Sequence, residues 1–187
     1  MANLMALAAL HCPTGEDLVD AVEGRVGALS VSYALVAQTG APPNLAALAE
    51  GVVSRVKARL GSRAAVDFSL DPLDLSLRLS SPLSLWLNES VDNALRHGLA
   101  GASDGRLFIS GGLDQDGFRL QVADNGRGLV PGFDRERQGR LGLRLIWAVA
   151  ESDLRGNAGF ISLSPGLAVG LTMPEKEFNK LNQDPWR

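Results

Sequence analysis

At 187 residues, 45% hydrophobic and 21% charged, the chain has the make-up of a soluble globular protein and room for one full domain with a smaller appendage, which excludes a disordered tail. A net charge of -3 provides no basic surface to displace counterions from a polyanion, so non-specific nucleic-acid binding is excluded, although a small anion held by local groups is not. One cysteine, Cys12, rules out an intrachain disulfide framework or a thiolate metal cluster and fits a reducing cytoplasm.

Residues 2–10 form an apolar run too short for a bilayer and without a basic leader, so they read as a short helix stopped by Pro13 and Gly15. A longer helix is expected over 16–39, with Leu18, Val22, Val26, Leu29, Tyr33 and Val36 at spacings of 4, 4, 3, 4 and 3. Such a seam must be covered, either by a second copy of the chain or by the main domain. Gly40, Pro42 and Pro43 break the helix, and we place the boundary between a helical hairpin (1–40) and the main domain (44–174) there. Asn44 is placed to cap a helix running to Leu60, with Leu45, Leu48, Val52, Val56 and Leu60 on its buried face.

Residues 65–70 alternate like a half-buried strand, and a helix is expected over 81–97. Segments 106–112 and 118–124 flank the turn-like sequence Asp114, Gln115, Asp116, Gly117 and predict an antiparallel hairpin. Residues 129–140 are polar and lack apolar periodicity, as a mobile loop would. A helix over 141–151, a second hairpin from 160–164 and 167–173, and a surface tail at 175–187 complete the reading.

The helix over 81–97 organises the rest. Glu89, Asn93 and His97 fall at i, i+4 and i+8, which aligns a carboxylate, an amide and an imidazole along one stripe. Leu83, Leu87, Val91 and Leu95 form an apolar stripe beside it, so the helix is half core and half site. Downstream, the second strand of the first hairpin ends in Asp124, Asn125, Gly126, Arg127, Gly128. A carboxylate at a strand end can accept from an amine, and the glycines let backbone approach a flat ligand. Gly139, Arg140, Leu141, Gly142 and Leu143 then open a helix, where unpaired N–H groups suit phosphate oxygens. Each motif alone also fits a solvated helix face, a common turn or a plain loop-to-helix junction. Glu89 and His97 as a transition-metal pair lack a third strong ligand.

The order of these motifs resembles the GHKL ATPase superfamily, which includes the sensor histidine kinases. Residues 88–98, NESVDNALRHG, resemble its N box. VADNGRGL resembles its first glycine box, GRLGLRLI its second, and SPGLAVGLTMP a degraded form of its last strand. The resemblance covers about residues 64–174 and is strongest to short-lid histidine kinases with an N-E-x-x-x-N box. It implies an α/β two-layer sandwich, helices on a mixed sheet, preceded by a helical hairpin for dimerisation and phosphotransfer in which Arg25 and Val26 match the family's R-V. The implied cofactors are ATP and Mg2+. Asn93 would ligate Mg2+, Glu89 would act as general base on the nucleophile, and Arg96 and His97 would lie by the phosphates. Asp124 would accept from the adenine amine, Gly126 and Gly128 would shape its pocket, Gly142 with Gly139 would form the lid hinge, and Leu143 would join the nucleotide-binding residues.

The resemblance further implies a cytoplasmic homodimer, paired through its N-terminal helices, that passes phosphate to a response regulator. The family's phosphoacceptor histidine falls before the start of this chain. His11 stands in the wrong place for it and His97 belongs to the N box, so the hairpin reads as truncated at its start. Two other functions fit the same boxes: an anti-sigma-factor-like serine kinase, which typically lacks the N-terminal hairpin, and a phosphotransfer or scaffold protein that keeps the fold without turnover.

Overall fold

The computed structural model describes residues 15–129 and 141–183. Helix α1 (Gly15–Thr39) leads into α2 (Leu45–Leu60). Strand β1 (Ala65–Leu70) precedes the long α3 (Leu77–Asn93), which runs on through a π-helical turn over Ala94–Gly98. Next come β2 (Arg106–Asp114), β3 (Gly117–Asp124) and α4 (Leu141–Ala148), whose end also widens into a π-helical turn over Val149–Asp153. Strands β4 (Asn157–Ser162) and β5 (Leu167–Pro174) and helix α5 (Glu175–Asn182) close the domain.

The five strands form one mixed sheet in the order β1-β2-β3-β5-β4, parallel between β1 and β2 and antiparallel elsewhere. Leu107, Ile109, Phe118, Leu120, Val122, Val169 and Leu171 face the helices and are buried, while Arg106, Phe108, Ser110, Arg119 and Thr172 alternate to the open side. Leu79, Leu83, Trp86, Leu87 and Val91 of α3 are fully buried against that face, and Leu45, Leu48, Val52 and Val56 of α2 join the same core. The expected α/β two-layer sandwich is therefore the observed fold. Among the described residues, no helix is long and apolar enough to cross a membrane.

Several expectations shift in the structure. Asn44 caps α2 as expected, its side chain accepting from the Ala47 N–H at 2.8 Å. Helix α3, however, begins at Leu77 rather than at 81. Ser76 caps it by accepting from the Leu79 N–H at 3.1 Å, and Pro82 lies inside the helix rather than at its start. Both hairpins form, the second with its first strand at Asn157–Ser162 rather than 160–164 and its second strand where expected. The expected surface tail forms α5 instead. Phe178 and Leu181 are buried, and the Phe178 ring stacks on Phe118 with centroids 5.0 Å apart. The short helix at 2–10, most of the loop at 129–140, and Gly139 and Arg140 lie outside the described residues.

Helix α1 docks on α3 and α2, but not through its heptad seam. Its buried positions are Gly24, Arg25, Gly27, Ala28 and Ser32, whereas Val26 is 63% and Tyr33 59% exposed. Glycine at 24 and 27 lets α1 lie close to α2. An ideal Cβ at Gly27 would stand 1.9 Å from Nε of Arg55, and one at Gly24 3.5 Å from the Arg59 guanidinium.

Candidate active site

The N-terminal end of the site is built on α3. Glu89 is 9% exposed, and burial pushes its carboxyl above the ordinary glutamate range. The positive charge of Arg25 pulls it back down, the negative charge of Asp92 raises it, and the amide of Asn88 lowers it. Oε1 receives the Asn88 Nδ2 donor at 3.3 Å and stands 3.4 Å from Nε of Arg25. Oε2 points elsewhere. It lies 2.7 Å from where a Cβ on Gly142 would stand, and the Asn93 amide atoms lie 3.6 and 3.7 Å from the same point. The first turn of α4 therefore approaches Glu89 and Asn93 closely enough that any side chain at 142 would fill the space between them. Nδ2 of Asn93 is buried and has no hydrogen-bond partner among the described residues. Leu143 packs half-buried against the core.

The π-helical turn after Asn93 changes what the stripe presents. A bond from the Leu99 N–H to the Ala94 carbonyl, 2.8 Å long, spans five residues and breaks the four-residue register expected to carry on to His97. His97 is half-buried on this turn. Arg96 is turned to Asp92, with its Nε 3.0 and 3.1 Å from the two carboxylate oxygens. Arg59 of α2 also pairs with Asp92. Arg96 is thus engaged one turn back along α3 rather than grouped with Asn93 and Glu89.

At the far end of the π-helical turn Gly98 meets the end of β3. An ideal Cβ on Gly98 would lie 2.8 Å from Cγ, Oδ1 and Oδ2 of Asp124. Gly126 brackets the same carboxyl from the other side, since its Cβ would lie 2.8 Å from Oδ1 and 2.1 Å from the Gly98 carbonyl oxygen. Gly166, in the β4–β5 turn at φ +109°, passes so close that its Cβ would stand 1.8 Å from the Asp124 backbone oxygen. Gly128, at φ +67°, follows against Gly166. Gly98 and Gly126 therefore close on one buried carboxylate, 4% exposed, at a distance only glycines permit, and Gly166 packs as closely on the backbone of the same residue.

Burial pushes the Asp124 carboxyl up, and the backbone N–H groups of Gly126 and Leu167 pull it partly back. The Gly126 N–H donates to Oδ1 at 2.8 Å. Asn125 anchors the loop rather than joining the site, its side chain accepting from the Arg106 N–H at 2.8 Å and donating to the Asp104 carbonyl at 3.2 Å. The Arg127 N–H reaches the Gly98 carbonyl at 3.1 Å and ties the loop to the helix end.

Asp124 and Asn93 therefore share one stretch of structure. Gly98, which touches Asp124, lies five residues beyond Asn93 on a continuous helix, a rise of about 7.5 Å. Gly98 and Gly166 carry no role in the sequence reading. Gly98 was visible only as the residue closing the N box, and Gly166 as the glycine of the degraded last strand. Arg25 was visible only as a motif match. Among the described residues no three His, Cys, Asp or Glu side chains converge as a metal cage.

No family model matches the chain. Among curated proteins, 97 residues are 31% identical to the sensor histidine kinase PdtaS of Mycolicibacterium smegmatis, covering 51% of this chain and 19% of that one. A further match, 68 residues at 31% identity, is to the anti-sigma F factor of Halalkalibacterium halodurans, covering 36% of this chain and 47% of that one. The chain spans less than half the length of either relative. Among solved structures, the histidine kinase domain of the Erythrobacter litoralis EL346 blue-light activated histidine kinase superposes with a TM-score of 0.73 at 19% identity, over 98% of this chain and 97% of that one. A second structure of that kinase gives 0.80 at 22% identity, over 96% of this chain and 57% of that one. The ATP binding domain of PrrB from Mycobacterium tuberculosis gives 0.51 at 25% identity, over 66% of this chain and 90% of that one. The fold is that of histidine kinase domains, and the GHKL resemblance of the motifs is supported.

Proposed function

We propose that the chain is the ATP-binding catalytic region of a two-component sensor histidine kinase and holds Mg-ATP between Asp124 and the Glu89–Asn93 segment of α3. The observation that carries this reading is the buried Asp124 carboxylate, closed in by Gly98 and Gly126 at the far end of the continuous helical stretch that carries Glu89 and Asn93. A flat heterocycle with an exocyclic amine suits such a carboxylate. Guanine, which bears a carbonyl at that position, cannot donate to it.

Mg-ATP when bound supplies the transferable phosphoryl group and the cation that offsets its charge. Asn93 fits the cation. Mg2+ takes one or two protein oxygens and completes its shell with phosphates and water, so a single amide oxygen without a carboxylate cage is an adequate donor set. Glu89, with its carboxyl raised by burial, would take a proton from the incoming nucleophile. Arg96 would have to release Asp92 to meet phosphates, and His97 would stand nearer to them. Gly142 would act as a hinge for the segment before α4, together with Gly139. The face of α1 bearing Val26 and Tyr33 is open for a homodimer contact, and a response regulator would take the phosphate onward.

Titration of the protein with a non-hydrolysable Mg-ATP analogue is expected to saturate below the millimolar range and to weaken sharply in Asp124→Asn. Absence of binding, or identical binding in that variant, would overturn the reading. Self-phosphorylation of this chain alone is expected to be slight or absent.

The match to an anti-sigma F factor keeps a serine kinase as the second reading. Helix α1, docked on the domain, argues against it. With a protein acceptor present, an acid-labile phosphate supports the histidine kinase and an acid-stable one the serine kinase.

A further inference from the structure

Helix α1 buries an arginine against the carboxylate on which the proposed chemistry depends. Arg25 is 8% exposed and Glu89 9%, so neither charge is screened by solvent. At 3.4 Å the Arg25 Nε pairs with Oε1 by charge, while its N–H finds no aligned hydrogen-bond acceptor. Asn88 holds the same oxygen. The two oxygens of Glu89 therefore have different surroundings: Oε1 is occupied by α1 and Asn88, and Oε2 is left facing Gly142 and the side where Asn93 lies.

We infer that Arg25 is a positioning residue for Glu89, fixing which carboxylate oxygen faces the reaction. The docked face of α1 is then part of the site and not only a connection to it. This rests on the reading of Glu89 as general base, but the pairing can be tested separately. Among the described residues, one other charge is seen to act on Glu89. Asp92, on α3, opposes its ionisation and is itself neutralised by Arg59 from α2 and by Arg96. Helix α4 presents Gly142 there, which carries no charge. Among the described residues, Arg25 is therefore the cation that offsets the burial of Glu89.

The test is a carbon-13 titration of the glutamate carboxyls in the full chain, with the Glu89 signal assigned by its loss in Glu89→Gln. In Arg25→Gln the Glu89 midpoint should rise by at least one pH unit, a tenfold gain in proton affinity. Arg25→Lys should restore most of the difference. In the unaltered protein the Arg25 Nε–H resonance should follow the Glu89 titration curve, a readout that survives even if Arg25→Gln does not fold. A Glu89 midpoint indifferent to residue 25, or an Nε–H signal that ignores it, would overturn the inference. Failure of the unaltered chain to bind Mg-ATP analogue would instead overturn the functional reading, so the two are distinguishable.

Discussion

Replacing Gly98 by alanine would put a methyl carbon 2.8 Å from Cγ, Oδ1 and Oδ2 of Asp124, about 0.6 Å inside the roughly 3.4 Å at which such contacts become ordinary. The carboxyl cannot simply retreat, because Gly126 and its N–H hold the other side and the Gly166 backbone lies behind. The substitution should therefore move or rotate the carboxylate out of its adenine-accepting position. A hydrogen bond to a charged group contributes about 1.5–3 kcal/mol, so Mg-ATP analogue affinity should fall about 10- to 150-fold. The fold should hold, since alanine at a helix end recovers up to about 1 kcal/mol of propensity. Calorimetric titration with adenine and guanine nucleotides, alongside thermal unfolding, reads both effects. The parent should prefer adenine and the variant should lose that preference with its melting temperature within a few degrees. A folded Gly98→Ala protein that binds and discriminates like the parent would refute the placement of adenine at Asp124.

Three other outcomes follow from the same geometry. Asn93→Ala should weaken Mg-ATP analogue binding at least tenfold by calorimetry but leave Mg-free binding alone, and should cost under about 1 kcal/mol of stability because Nδ2 has no partner to lose. For pH, burial raises the Asp124 carboxyl, so the folded state holds that proton more tightly than the unfolded chain and its stability contribution is lost as pH rises through the folded value. Adenine acceptance needs the carboxylate and runs the other way: nucleotide affinity measured against pH should fall on acidification before the ordinary aspartate range near 3.8 is reached, and an affinity flat to that point would count against the assignment. Phe178→Ala should remove about 3–5 kcal/mol and lower the melting temperature by about 10 °C, whereas a surface tail would show almost no change.

The site was legible where its chemistry follows a local period. Glu89 and Asn93 announce themselves by four-residue spacing beside an apolar stripe, and Asp124 by a strand that ends in glycines. Local patterning could not register what depends on packing across the fold. The face α1 buries was misread because Gly24, Gly27, Ala28 and Ser32 gain closeness rather than hydrophobic area, and because a buried Arg25 is tolerable only with Glu89 opposite. Helix α3 begins four residues before the expected start at 81, after a cap at Ser76 that is also held by residues a hundred positions away. The widened turns at 94–98 and 149–153 have no signature in periodicity, and the first of them brings Gly98 against Asp124.

Ser76, where α3 begins, is held from the far end of the sequence. Its N–H donates to Oδ1 of Asn182 at 2.7 Å, its hydroxyl to the Leu181 carbonyl at 2.7 Å, and Nδ2 of Asn182 reaches the Asp74 carbonyl at 2.9 Å. During synthesis on the ribosome, every residue of the proposed nucleotide pocket among the described residues emerges before the clasp that steadies its principal helix. A nascent protein paused short of Leu181 holds Glu89, Asn93 and Asp124 on a helix whose start is not yet fastened.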